Sequence, residues 1–104
     1  MPTQPFTLAM YRVRPGQEDA FIAAWDRLAA TFSSLPEPPL WGALIRHWSD
    51  RTLFYSFGPW EAPEHIKAMR ENAQAAAAFA ALQPLCETLT PGDFDVVRHV
   101  DVRR

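Results

Sequence analysis

The segments that read as β-strands are apolar on both faces, while the chain offers only two helices to cover them. From Phe6 the sequence runs Phe-Thr-Leu-Ala-Met-Tyr-Arg-Val, with Phe6, Leu8 and Met10 on one parity of the pleat and Ala9, Tyr11 and Val13 on the other. Two helices lie on one side of a small sheet. An apolar second side must then meet another sheet or stay wet, at a cost of about 25 cal/mol per Å². The pattern predicts a self-associating α+β domain, a homodimer formed through one sheet face. A chain of 104 residues with 48% hydrophobic content is expected to be one domain, residues 1–104, with a modest core that association enlarges.

Charge and cysteine usage narrow the function classes. The net charge is -2, and the nine arginines and single lysine, Lys67, are scattered among acids, so no basic stripe follows a phosphate backbone and nucleic acid is not an expected partner. The one cysteine, Cys86, excludes an intramolecular disulfide framework and fits a reducing compartment. Met1 to Gly16 has no apolar signal core, and no apolar run approaches the roughly 20 residues of a membrane helix. The expected location is cytoplasmic, with no membrane partner.

Strand one is expected over about residues 6–14, ending at Arg14-Pro15-Gly16, where proline fixes φ and glycine permits the turn. From Glu18 to Ser33 the apolar positions Phe21, Trp25, Leu28 and Phe32 recur every three or four residues, which predicts an amphipathic helix with an acidic first turn. Leu35-Pro36-Glu37-Pro38-Pro39 reads as an extended loop. Trp41–Trp48 and Leu53–Phe57 then form a hairpin. With Asp50-Arg51 at its turn, Trp48 faces Leu53, Arg46 faces Tyr55 and Leu44 faces Phe57, a bulky face suited to the dimer with Trp48 as its hot spot. Ala43, Ile45, His47, Phe54 and Ser56 fall on the other, smaller and more polar face. Pro63 starts a second helix with Ile66, Met69, Ala73, Ala76, Ala77 and Ala80 on its inner side, and Phe94–Val102 is the last strand. The order is β-α-β-β-α-β, a ferredoxin-like arrangement with a four-stranded antiparallel sheet.

A short strand, then Val-Arg-Pro-Gly-Gln-Glu-Asp-Ala-Phe with Trp25 in the helix, a central hairpin, and Phe57-Gly58-Pro59-Trp60-Glu61 before helix two resemble the antibiotic biosynthesis monooxygenase family of the dimeric α+β barrel superfamily. The resemblance spans nearly the whole chain. It implies a homodimer whose two sheets pack into a barrel, with a small-molecule pocket in each protomer between helices and sheet. It also implies oxidation of phenolic, quinol or polyketide-type aromatics with molecular oxygen and no metal or flavin, in an apolar aromatic box with a few polar groups that hold a phenolate. Trp60 matches the family tryptophan before helix two. Where polyketide oxygenases of the family carry an asparagine four residues earlier, this chain has Ser56, and where they carry a tyrosine six residues later it has Ile66. The haem-degrading branch carries an asparagine on strand one and a histidine on helix two; Ala9 and Arg70 stand there, so no axial ligand is supplied and no cofactor is implied.

Read by their own chemistry, the candidates are weighed against plainer roles. His47 shares the expected pocket face with Ser56, and its ordinary pKa near neutrality suits a general base, although a strand histidine is also a common structural residue. Trp60 is either a wall of the site or a staple packing helix two. His65 reads as a residue of the first turn of helix two, His99 as solvent-facing and Cys86 as a small buried side chain. No spacing supports a metal site or a nucleotide loop. The catalytic candidates are therefore His47 and Trp60, and the substrate-binding candidates Ala9, Tyr11, Ser56 and Met69. The alternative is a non-catalytic small-molecule-binding or stress-related dimer, or a proton-transfer isomerase with His47 as base.

Overall fold

The first strand ends where the sequence stops favouring extension, at a turn in which Gly16 takes φ of +88°, a left-handed conformation open to glycine. The computed structural model of the protein describes residues 4–103. Its elements are β1 (Gln4–Val13), α1 (Glu18–Ser33), β2 (Ala43–Arg46), β3 (Leu53–Pro59), α2 (Pro63–Glu71), α3 (Ala73–Ala80) and β4 (Cys86–Val96), with a single 3-10 turn at Gln83–Leu85. The four strands form one antiparallel sheet in the order β2-β3-β1-β4, the ferredoxin-like arrangement. Among the described residues no helix is long and apolar enough to cross a membrane.

The helices cover one side of the sheet. Ala9, Tyr11 and Val13 of β1 and Phe54 of β3 point into the core with Phe21, Ala24 and Leu28 of α1, Leu82 and Cys86. Tyr11 and Phe54 both pack against Phe21, with ring centres 4.9 Å apart in each pair. The opposite parity carries Phe6, Leu8 and Met10, paired across β1 and β3 with Pro59, Phe57 and Tyr55. Phe6 stacks on Phe57 at 6.0 Å, and the Trp41 ring meets both edge-on. Among the described residues no helix covers this side, and Ile45 and Phe94 on it are about half exposed. The two-faced character of β1 is thus a property of the folded protomer.

Three sequence expectations are corrected. The hairpin pairs Arg46 with Phe54 and Leu44 with Ser56, one residue out of the expected register. The connection is built by side chains: His47 Nδ1 accepts the amide N–H groups of Ser49 and Asp50, and the Asp50 carboxylate accepts from the Thr52 amide and hydroxyl and from Arg12. That wider loop shifts β2 by one, and a one-residue shift turns every side chain to the other face. Leu44 therefore packs on the helix-side core, and Arg46 lies with its guanidinium 4.6 Å over the Phe54 ring instead of on the dimer face. Helix two is broken at Asn72, whose backbone is extended and whose side chain accepts the Ala75 amide at 2.9 Å, capping a separate α3. The last strand runs over Cys86–Val96, starting eight residues earlier than expected and ending six earlier. Pro91 is accommodated because β4 is an edge strand bonded to β1 alone.

Candidate functional site

A cleft of about 670 Å³ opens between the helices and the helix-facing side of the sheet. That volume suits a ligand of several fused rings. Its walls are aromatic and aliphatic: Trp25, Leu28 and Phe32 from α1, Trp60 ahead of α2, Met69 from α2, and Phe79 from α3. The alanines of α3 keep side-chain bulk out of the space, as does Ala9 at the centre of the sheet.

Polar groups converge at the sheet. Pairing of Ala9 with Ser56 sets Ser56 beside Tyr11 on the same face, and their hydroxyl oxygens lie 2.7 Å apart in a hydrogen bond. Two hydroxyls joined by one bond retain one proton for a further acceptor. The indole N–H of Trp25 is buried and has no acceptor among the described residues. Tyr11, Ser56 and Trp25 all line the cleft, which brings the hydroxyl pair and the unpartnered indole N–H to one wall. Burial pushes the Tyr11 phenol above its ordinary range and the nearby Cys86 thiol adds to this, while the Ser56 hydroxyl opposes it, as does the adjacent Trp25 indole N–H, which lies near the phenol without hydrogen-bond geometry. Tyr11 consequently stays protonated and able to donate at neutral pH.

This shift carries a stability prediction. A phenol whose folded pKa is raised contributes stability that is present below its unfolded value near 10 and is lost as pH rises through the folded value. Wild-type protein should therefore lose stability in the alkaline range above about pH 10 more steeply than Tyr11→Phe, measured by urea unfolding at successive pH values. Parallel curves for the two proteins would remove Tyr11 from the alkaline transition.

Trp60 is fully buried and clamped to β1. Its backbone N–H donates to the Pro5 carbonyl at 2.9 Å, its indole N–H donates to Thr7 Oγ1 at 3.0 Å, and Gln4 donates to its carbonyl. Phe32 meets it edge-on at 6.0 Å. Its N–H is thus committed to the scaffold, and the ring presents an apolar wall to the cleft.

Of the six residues expected from the sequence to share a pocket, Ala9, Tyr11, Ser56, Trp60 and Met69 line the cleft together. His47 does not: the shifted register and its role in the turn leave it exposed at the hairpin end, outside the cleft lining. Its Nδ1 is already an acceptor for two amides, so the base assignment drawn from the expected face falls with that face. His65 sits in α2 with Nε2 3.7 Å from Glu37, and it too lies outside the lining. The indole donor of Trp25 escaped the sequence reading, because helical periodicity marks Trp25 as inward-facing without showing where its N–H points.

No family model matches the sequence, and no match is found among curated proteins. Solved structures do resemble this one. An alanine-for-asparagine mutant of SnoaB, a cofactor-independent oxygenase from Streptomyces nogalater, superposes with a TM-score of 0.86 at 17% identity, over 95% of this chain and 98% of that one. A Chloroflexus aurantiacus protein named as a candidate antibiotic biosynthesis monooxygenase gives 0.74 at 24% identity over 97% and 100%. A conserved Bacteroides thetaiotaomicron protein gives 0.79 at 18% identity over 92% and 100%. The chain therefore has the α+β fold of SnoaB and of structures that bear the name antibiotic biosynthesis monooxygenase.

Proposed function

We propose that this protein is a homodimeric, cofactor-independent monooxygenase that oxidises a phenolic, quinol or polyketide-type aromatic compound. The observation that carries the reading is the aromatic cleft with unspent hydrogen-bond donors from Tyr11, Ser56 and Trp25 at its sheet wall. The resemblance of the fold to SnoaB, named as a cofactor-independent oxygenase, supports it. An electron-rich aromatic enters between the walls, and its ring oxygen accepts from these donors. As the oxygen gives its proton to solvent at the open cleft, the donors stabilise the charge, and the ring becomes able to reduce oxygen directly. Conversion of a ring CH2 to C=O takes up one O2 and releases one water, so the substrate itself supplies all four electrons. Catalysis is assigned to the hydroxyl pair with Trp60 as wall, and no base is assigned to His47.

The open side of the sheet supports the dimer. Phe6, Leu8, Met10, Leu53, Tyr55 and Phe57 form an apolar surface, edged by Trp41, that no helix among the described residues covers, and a second sheet packed on it completes a barrel. Leu53 and Phe57 lie on the open face assigned to the interface in this reading, whereas Leu44 packs against the protomer core. Trp48, 94% exposed in the hairpin connection, remains available to a partner.

Oxygen uptake with an anthrone or naphthohydroquinone, in chelator and without added metal, tests the activity. Protein-dependent uptake is expected, with Tyr11→Phe and Ser56→Ala each lowering turnover by roughly 10²-fold, the scale for removing one oxyanion donor. Uptake no faster than in protein-free buffer across such substrates would reject the oxygenase reading.

A further inference from the structure

Arg70 is the one ionised side chain among the described residues lining the cleft; the rest of the lining is apolar, hydroxyl, amide or indole. It stands in the last turn of α2, next to Met69, where the cleft passes between α2 and the Pro91-Gly92 stretch of β4. Asp93 of β4, which lies outside the cleft lining beside a neighbouring groove that Arg70 also lines, holds the guanidinium through one terminal nitrogen, and both side chains are about half exposed, so Arg70 stands at the boundary between cleft and groove. Neighbouring Glu71 pairs with Lys67 instead. Among the described residues Arg70 therefore keeps most of its five N–H donors without a partner, fixed in direction by a single contact.

We infer that Arg70 is a specificity residue that selects aromatic ligands bearing a carboxylate, held by the guanidinium while the ring system fills the apolar cleft. This rests on the reading of the cleft as an aromatic site and adds the second polar end of its ligand. An exposed ion pair such as Arg70–Asp93 contributes little by itself, so it yields readily to, or shares its cation with, an incoming carboxylate. A carboxylate matches the planar fork and gains a charge-assisted bidentate contact beside an apolar wall. Asp93 then acts as a competitor: it orients the arginine and weakens its hold on an anion.

Calorimetric titration of the full-length protein with 6-hydroxy-2-naphthoic acid and with 2-naphthol at neutral pH tests this. The acid should bind at least about tenfold more tightly than the naphthol, and added salt should narrow the gap. Arg70→Gln should erase the preference while leaving naphthol binding unchanged, and Arg70→Lys should retain part of it. Asp93→Asn should strengthen acid binding severalfold, a change in the opposite direction that a purely structural ion pair would not give. Equal affinities for the two probes in wild type, no detectable binding of the acid, or a preference that survives Arg70→Gln would overturn the assignment. Oxygen consumption plays no part in these titrations, so a protein that prefers the acid yet consumes no oxygen retains this inference and loses only the oxygenase reading.

Discussion

Trp60→Ala is expected to remove about 3–5 kcal/mol of folding stability, a large share of the 5–15 kcal/mol that holds a domain of this kind. The size of the effect follows from three losses at one position. The side chain is fully buried, so its removal opens a cavity beside Phe32 that the surrounding backbone cannot readily close, because Pro5 and Gln4 bind the main chain of residue 60. The Thr7 hydroxyl loses its indole partner. The cleft also loses a wall, so ligand binding weakens together with stability. Trp60→Phe separates these contributions: it keeps most of the apolar volume and drops the indole donor, and should cost about 1–2 kcal/mol. Thr7→Val should cost a similar amount, and combining it with Trp60→Phe should be less than additive. Urea unfolding measures all four proteins, and a loss below about 1 kcal/mol for Trp60→Ala would show that Trp60 is not the clamp described.

What the sequence made legible was whatever depends on local periodicity. Glu18–Ser33 stands as the first helix with both bounds as expected, because Phe21, Trp25, Leu28 and Phe32 repeat at helical spacing and Pro-Gly punctuation precedes them. The alternation of β1 likewise sorted Ala9 and Tyr11 from Leu8 and Met10 correctly. The hairpin failed for a nonlocal reason. Its register depends on whether two or more residues make the turn, and that was decided by His47 and Asp50 side chains bonding to backbone amides, together with Arg12 from a different strand. Once β2 slipped by one, His47 left the site and Arg46 left the proposed interface. Ser56 kept its face because β3 is registered independently against β1. The break at Asn72 was hidden by the strong helix formers on either side, though an Asn three residues before Ala75 is itself a capping signal. Gly58 shows the same limit: a Cβ there would lie 2.2 Å from the Trp41 carbonyl oxygen, a close approach between the 34–42 connection and β3 that no spacing in the sequence reveals.

Met10→Asp is expected to convert the proposed dimer to a folded monomer, with the dissociation constant raised by about 10³-fold or more. Met10 lies on the central strand β1, opposite Tyr55 on one side and Thr90 on the other, on the sheet face that no helix among the described residues covers. In the isolated protomer a carboxylate at this position faces water and costs the fold little. In a dimer packed face to face it is desolvated among Leu8, Tyr55 and Phe57. Arg12, the cation on the same parity of β1, is engaged by Asp50. An unpaired buried charge costs about 3–5 kcal/mol, and a two-fold interface presents the substitution twice, so the penalties of both copies fall on one association. Each 1.4 kcal/mol is a factor of ten, which places the expected change beyond the concentration range of light scattering on the dimer side. The substitution thereby distinguishes two sources of instability. A monomer that unfolds at nearly the wild-type intrinsic stability identifies the open face as an interface between copies. A Met10→Asp protein that remains dimeric at micromolar concentration, or a wild-type protein that is monomeric there, would mean that Phe6, Leu8, Met10 and Phe57 are covered by something other than a second copy of this chain.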